Sequence, residues 1–374
     1  MNEDVKKGLL GIVVDETEIS KVMPEINSLT YRGYAAQDLC AACRFEEVAY
    51  LILNKDLPNS IQLKKFEKEE KDNRELTKNL YEIIKHMPKK SHPMDVARTA
   101  VSVMGLEDKE TSNSSPEANL RKAIRIFSKT PTALAAFYRI RKGQKLIKPN
   151  KNLSFSENFF YMCFGKVPQK EIIKAFDVSL ILYAEHSFNV STFTARTITS
   201  SLSDIHGAIT GAIASLKGPL HGGANEEVMC MMKKIKKPEN ALKWIKNALT
   251  KKQVVMGFGH RVYKSGDSRV PTMREYFGKV AKIKKNKNYE KIYDIIEKTM
   301  IKEKNIYPNV DFPTGPTYHL MGFDTDFFTP IFVISRIIGW SAHIMEQHAA
   351  NKLIRPLAKY KGNKYRQVIS LNQR

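Results

Sequence analysis

Apolar positions recur with helical spacing over most of the chain. EIIKAFDVSLILYAEH (Glu171–His186), SDIHGAITGAIASLK (Ser203–Lys217), EEVMCMMKKI (Glu226–Ile235) and FFTPIFVISRIIGWSAHIMEQ (Phe327–Gln347) carry clustered or 3.6-period apolar residues and predict helices. Strand-like alternation is rare. GIVVDETEIS (11–20) and SLTYRGY (28–34) predict a small N-terminal hairpin. Polar, charged stretches around 55–75 and 107–120 read as loops or exposed helices, and no repeat of 20–50 residues is present. Within the second helix Gly207, Gly211 and Ser215 recur every fourth residue. Such a stripe lets another helix approach closely, either inside the subunit or across a subunit interface. Gly218-Pro219 then stops that helix.

Composition narrows the class. A chain of 374 residues that is 42% apolar has material for two domains and a substantial core. Lys and Arg number 61 against 39 Asp and Glu, a net charge of +22. That charge admits anionic partners, yet the lysines are scattered as on a solvated face. No nucleic-acid module accompanies them, so no nucleic-acid partner is expected. Cys40 and Cys43 form a lone CxxC inside a helical pattern and read as packing residues. No metal site is expected. MNEDVKKGLL lacks an apolar signal core, and Pro330–Met345 is short and contains Arg336, so neither a signal peptide nor a membrane span is expected. A cytoplasmic location is the default.

Four places could carry chemistry. His221 stands in GPLHGGANEEV, just ahead of a helix expected from about Asn225. A helix N-terminus disfavours imidazolium, and a neutral ring still offers one N–H to a carbonyl oxygen. A capped turn is the plainer reading. In GFGHRVYKSGDSR, His260 follows Gly257-Phe258-Gly259, and Arg269 offers a fork for a carboxylate. The GxG there is neither a dinucleotide fingerprint nor a P-loop. Asp311 sits between Pro308 and Pro313, as a general base or as a turn aspartate. Arg336 lies within PIFVISRIIGW, and a buried guanidinium needs an anionic partner. Asp326 and Glu346 are each ten residues away, too far to pair along the helix, which leaves a tertiary carboxylate or an anionic ligand.

Together these segments resemble the citrate synthase family. The resemblance spans nearly the whole chain through GIVVDETEISKV, LTYRGYAAQDL, HPMDVARTAVS, LYAEHSFNVSTFTAR, GPLHGGAN, GFGHRVYKSGDSR, YPNVDFPTG, FVISRIIGWSAHIMEQ and IRP, in the family's order. It implies a mainly helical two-domain fold, with residues 1–221 and 323–374 as the large domain and 222–322 as a small mobile one. It implies an enzyme that joins an acyl-CoA to oxaloacetate and hydrolyses the thioester. His221 would bond the thioester carbonyl, Asp311 would take the adjacent proton, and His260 would polarise the ketone. His186, Arg269 and Arg336 would hold oxaloacetate, with Arg355 reaching it from the partner subunit of a homodimer. Gly257, Phe258, Gly259, Lys264 and Lys304 match positions near CoA. No cofactor is implied, CoA being part of the substrate.

The acyl group is less marked. SKVMPEINSLTYRGY, LYAEHSFNVSTFTAR and FTPIFVISRIIGW resemble 2-methylcitrate synthases, which take propionyl-CoA, whereas GFGHRVYK is closer to citrate synthases. One methylene discriminates by only about 1–3 kcal/mol, so acetyl-CoA is an alternative or additional substrate. Thr314-Gly315 after Pro313, and Asp267-Ser268-Arg269, depart from the family's usual Ser-Gly after an aromatic and Asp-Pro-Arg. A dedicated citrate synthase of the tricarboxylic acid cycle is the nearest alternative. A non-catalytic basic binding protein on the same fold is a remote one.

Overall fold

The computed structural model describes residues 5–9, 11–260, 263 and 266–374. Three short antiparallel strands come first: β1 (Ser20–Met23), β2 (Ser28–Tyr31) and β3 (Tyr34–Ala35), in the order β1-β2-β3. Ser20 pairs with Tyr31, and Thr30 with Ala35. The expected first strand is therefore displaced. Residues 11–19 form no strand; Ile12, Val13 and Val14 are exposed, and Asp15 reaches the buried Arg196 at 2.9 Å. That contact holds the segment away from a ladder.

The regular structure in the rest of the described chain is helical. The first half contains α1 (Ala36–Ala42), α2 (Phe45–Asn54), α3 (Ser60–Asp72), α4 (Lys78–His86), α5 (Pro93–Glu107), α6 (Pro116–Arg141), α7 (Phe155–Phe164) and α8 (Lys170–Tyr183). Then come α9 (Val190–Ser200), α10 (Ile205–Leu216), α11 (Ala224–Ile235), α12 (Pro238–Thr250), α13 (Val270–Ile283), α14 (Asn288–Lys304), α15 (Asp311–Met321) and α16 (Phe328–Ala349). Of the polar stretches, 60–72 folds as α3, capped by Asn59, while 108–115 is turn and coil ahead of α6. Asn59 accepts from two free N–H groups at the start of α3, which offsets its weak apolar content.

The long apolar helix α16 is the axis of the fold. It packs on α2, α6, α8, α9 and α10, and nearly every side chain from Phe328 to Ile344 is buried. With the short 3-10 turn before it, this segment runs Thr325–Ala349. It is long and apolar enough to cross a membrane, contrary to the expectation from the apolar run alone. Its most apolar stretch is wholly enclosed by the fold, as in a core helix. The carboxylates nearest Arg336 in sequence are engaged elsewhere: Asp326 with Arg141 and Glu346 with Arg196.

The small-residue stripe of α10 meets α9 inside the subunit, where a side chain on Gly211 would strike Ile198. Cys40, Cys43 and Cys163 are buried, Cys230 is half-buried, and all four are free thiols. Burial raises the pKa of each.

Candidate active site

Helix α8 ends at Tyr183, and the chain beyond it carries His186 into the interior. His186 is 7% exposed, and its Nε2 has no hydrogen-bond partner among the described residues. Burial keeps its pKa well below the usual imidazole value, and Arg269 and His260 push the same way. It is therefore a neutral ring. His260 stands beside it, ring centroids 5.1 Å apart. The Tyr263 N–H donates to Nδ1 of His260 at 3.2 Å, which puts the neutral ring's proton on Nε2.

His221 sits in the turn between α10 and α11. The Ser191 N–H donates to its Nε2 at 3.2 Å, and Ser191 Oγ lies 2.8 Å from the same nitrogen. An accepting Nε2 leaves the proton on Nδ1. Burial first, and Arg336 second, lower the His221 pKa to about 4. The ring is thus a neutral donor, as expected, but through burial and a nearby cation. Gly222 is required by the turn: a side chain there would lie 2.5 Å from the Leu216 carbonyl oxygen. Its missing side chain allows the close approach to the end of α10.

Asp311 is the first residue of α15, and its N–H bonds to Asn309 Oδ1 at 3.1 Å. Tyr183 donates to Asp311 Oδ1 at 2.6 Å. Burial raises the Asp311 carboxyl to about 6 against the pull of Tyr183, Arg269 and Arg336, with Asp267 adding to the rise. Arg269 is gripped by Asp267, Nε to Oδ1 at 2.9 Å and Nη2 to Oδ2 at 2.7 Å. Asp267 also accepts from the Val310 N–H at 3.1 Å, so it ties the arginine to the turn before Asp311. Arg336, 1% exposed, donates from Nε to the Tyr183 carbonyl at 2.6 Å and lies 4.7 Å from the Phe332 ring. No carboxylate pairs with it among the described residues, and burial lowers its pKa to about 10. Glu185, the acid that acts on it most strongly, is held by His343 and Ser20.

Six of the expected residues therefore share one region: His186, His221, His260, Arg269, Asp311 and Arg336. Their mutual electrostatic effects link them. Gly257, Phe258 and Gly259 run antiparallel to 307–309, with Gly259 N–H to the Tyr307 carbonyl and Asn309 N–H to the Gly257 carbonyl, each 2.9 Å. A cavity of about 240 Å³ beside this strap is lined by Gly259, His260, Asp267 and residues 305–308. Lys304 is exposed at the end of α14, next to that lining. Lys264 lies outside the described residues. Arg355 is not gathered with the rest; it is exposed in the tail beyond α16. A larger cavity, about 430 Å³, opens away from the histidines near Glu107, Arg125, Lys129 and His206.

Three supporting residues escaped the sequence reading: Ser191, Asp267 and Tyr183. Asp267 had a faint signal, an acid two places before an arginine. Ser191 is thirty residues from His221 and Tyr183 far from Asp311 in the chain, so only the fold joins them.

A citrate synthase family model, described as the C-terminal domain, matches residues 8–357. The chain belongs to the citrate synthase family. It is 50% identical over 365 residues to a citrate synthase of Mycolicibacterium smegmatis, covering 98% of this chain and 97% of the relative. It is likewise 50% identical over 363 residues to a 2-methylcitrate synthase of Mycobacterium tuberculosis, covering 97% and 92%. The solved citrate synthase of Thermoplasma acidophilum, in ternary complex with carboxymethyl coenzyme A and oxaloacetate, superposes with a TM-score of 0.94. It is 30% identical and fully covered in both directions. Family membership and the mainly helical fold thus agree with the sequence expectation.

Proposed function

We propose that this chain condenses an acyl-CoA with oxaloacetate and hydrolyses the resulting thioester, with propionyl-CoA preferred and acetyl-CoA also accepted. The observation that carries the reading is Arg336: a guanidinium 1% exposed, without a protein carboxylate among the described residues, close to neutral histidines and an elevated aspartate. A bound dianion supplies the missing charge, with Arg269 and His186 as its other contacts.

The chemistry follows from the proton positions. Asp311 takes a proton from the carbon next to the thioester carbonyl while Nδ1–H of His221 bonds the carbonyl oxygen, giving an enolate held by that hydrogen bond. The enolate carbon attacks the ketone carbon of oxaloacetate as Nε2–H of His260 protonates the ketone oxygen. Water then adds to the thioester, the C–S bond breaks, and CoA leaves as the thiol. CoA lies along the Gly257–Gly259 strap, with Lys304 near its phosphates. Residues 222–322 act as a small domain closing over the cleft. Both of its boundaries fall at glycines, Gly222 and the left-handed Gly322 that ends α15.

The active unit is a homodimer. Beyond Ala349 the tail leaves its own subunit nearly bare, its last anchors being Asn351 and Ile354 on Ser200. Leu353, Leu357, Tyr360, Tyr365 and Val368 are exposed there. A second copy would cover them and receive Arg355.

A thiol-release assay tests the reading. CoA should appear only when oxaloacetate and an acyl-CoA are both present, faster with the propionyl than the acetyl thioester. Because the ionised base is the active form, kcat/KM should rise with pH through about 6 and then level off. Asp311→Ala should lower kcat by about 10²–10⁴ while oxaloacetate still binds. Full activity in that variant sinks the mechanism.

A further inference from the structure

Tyr183, which the chemistry above does not use, bonds two residues that it does use, Asp311 and Arg336. Its hydroxyl donates to Asp311 Oδ1 at 2.6 Å. The Asn225 amide approaches the same hydroxyl oxygen as a donor at 3.5 Å, which leaves the phenolic proton directed at the carboxylate. Its ring is fully buried and stacks on Phe332, centroids 4.0 Å apart and planes 24° from parallel. The Arg336 guanidinium lies 4.7 Å from the same Phe332 ring, and the Tyr183 carbonyl accepts from Arg336 Nε at 2.6 Å.

We propose that Tyr183 is the positioning residue for the base: its side chain aims Asp311 and favours the ionised carboxylate, while its main chain fixes Arg336. One residue at the end of α8 thus sets the spacing between proton abstraction and the oxaloacetate anchor. The inference rests on the reading of Asp311 as the base.

The groups that act on Asp311 come from four directions. Asp267 and Arg269 precede α13, Arg336 is on α16, Tyr318 is on α15 itself, and Tyr183 is on α8. The two arginines favour the carboxylate and Asp267 opposes it. Of these groups, Tyr183 supplies the direct hydrogen bond to the carboxylate. A hydrogen bond to a charged group corresponds to about one to two pH units when it is removed.

The test is the pH profile of the intact dimer acting on its acyl-CoA and oxaloacetate. Tyr183→Phe should move the acid limb of kcat/KM up by about one to two pH units, so the rate falls about tenfold at pH 6 and largely returns by pH 8.5. The KM for oxaloacetate should stay within about twofold, since Arg336 bonds the backbone of Tyr183. A purely structural phenol would lower the rate alike at every pH. Fluorinated tyrosine installed at position 183 keeps the shape, donates more strongly and should move the limb down; it also decides the matter if Tyr183→Phe folds poorly. An acid limb unmoved by the fluorinated residue overturns the proposal. Full activity of Asp311→Ala would instead overturn the reading of the base, so the two failures are distinguishable.

Discussion

On the proposed function, Arg336 puts a stability cost and a binding role in one side chain. Its head is buried without a carboxylate partner, and burying charge this way is unfavourable by several kcal/mol. Arg336→Met should therefore raise the oxaloacetate KM by two orders of magnitude or more. It should change the melting temperature little, because Met removes the cost of burying the charge together with the hydrogen bond to the Tyr183 carbonyl and the attraction to Glu185. Kinetics and calorimetry on the same preparation check both halves. A large drop in melting temperature would mean that a protein group already neutralises the arginine. At this scale the residues that the structure gathers were legible: a histidine among glycines, an aspartate between prolines and an arginine in an apolar run each break a local rule. Their supports were not legible, since Ser191 looks like any residue near a helix start and Tyr183 like any apolar one.

The helices themselves were readable wherever an apolar face repeats over three turns or more, as in α8, α10 and α16. Of the short elements, the hairpin was readable but its first strand was misplaced. The N-terminal strand was expected within 11–20 but begins at Ser20, because the tertiary bond from Asp15 to Arg196 outweighs the local preference of Ile12, Val13 and Val14. Close helix contacts were equally hidden. Helices α11 and α15 approach so closely that a side chain on Gly315 would lie 2.6 Å from the Asn225 carbonyl oxygen, a backbone atom that cannot step aside. Gly315→Ala should push the two helices apart and cost about 1–3 kcal/mol, measured by denaturant unfolding. Asn225 also touches Tyr183, so the same variant should slow turnover.

At the scale of the molecule the open question in the fold is the tail. If Arg355 completes a neighbour's site, Asp311→Ala and Arg355→Ala chains should each be strongly impaired alone yet complement each other when mixed. Each mixed dimer then holds one intact site, so activity should recover to about a quarter of the parent's. No recovery in verified mixed dimers would show that Arg355 serves its own subunit or none. Nothing in the sequence alone distinguishes an arm from a disordered end; the exposure of Leu353, Leu357 and Tyr360 comes from the structure.

The four cysteines bear on how any of this is measured. Only the thiolate attacks a disulfide-type chromogenic reagent; Cys40, Cys43 and Cys163 are buried, Cys230 is half-buried, and burial pushes all four thiols toward the protonated form. The folded enzyme should be nearly colourless in such a reagent, and colour that develops on adding both substrates counts CoA released. A slow background in a variant then has its own meaning: it signals that the core has opened, and it separates a broken fold from a broken site in a single trace.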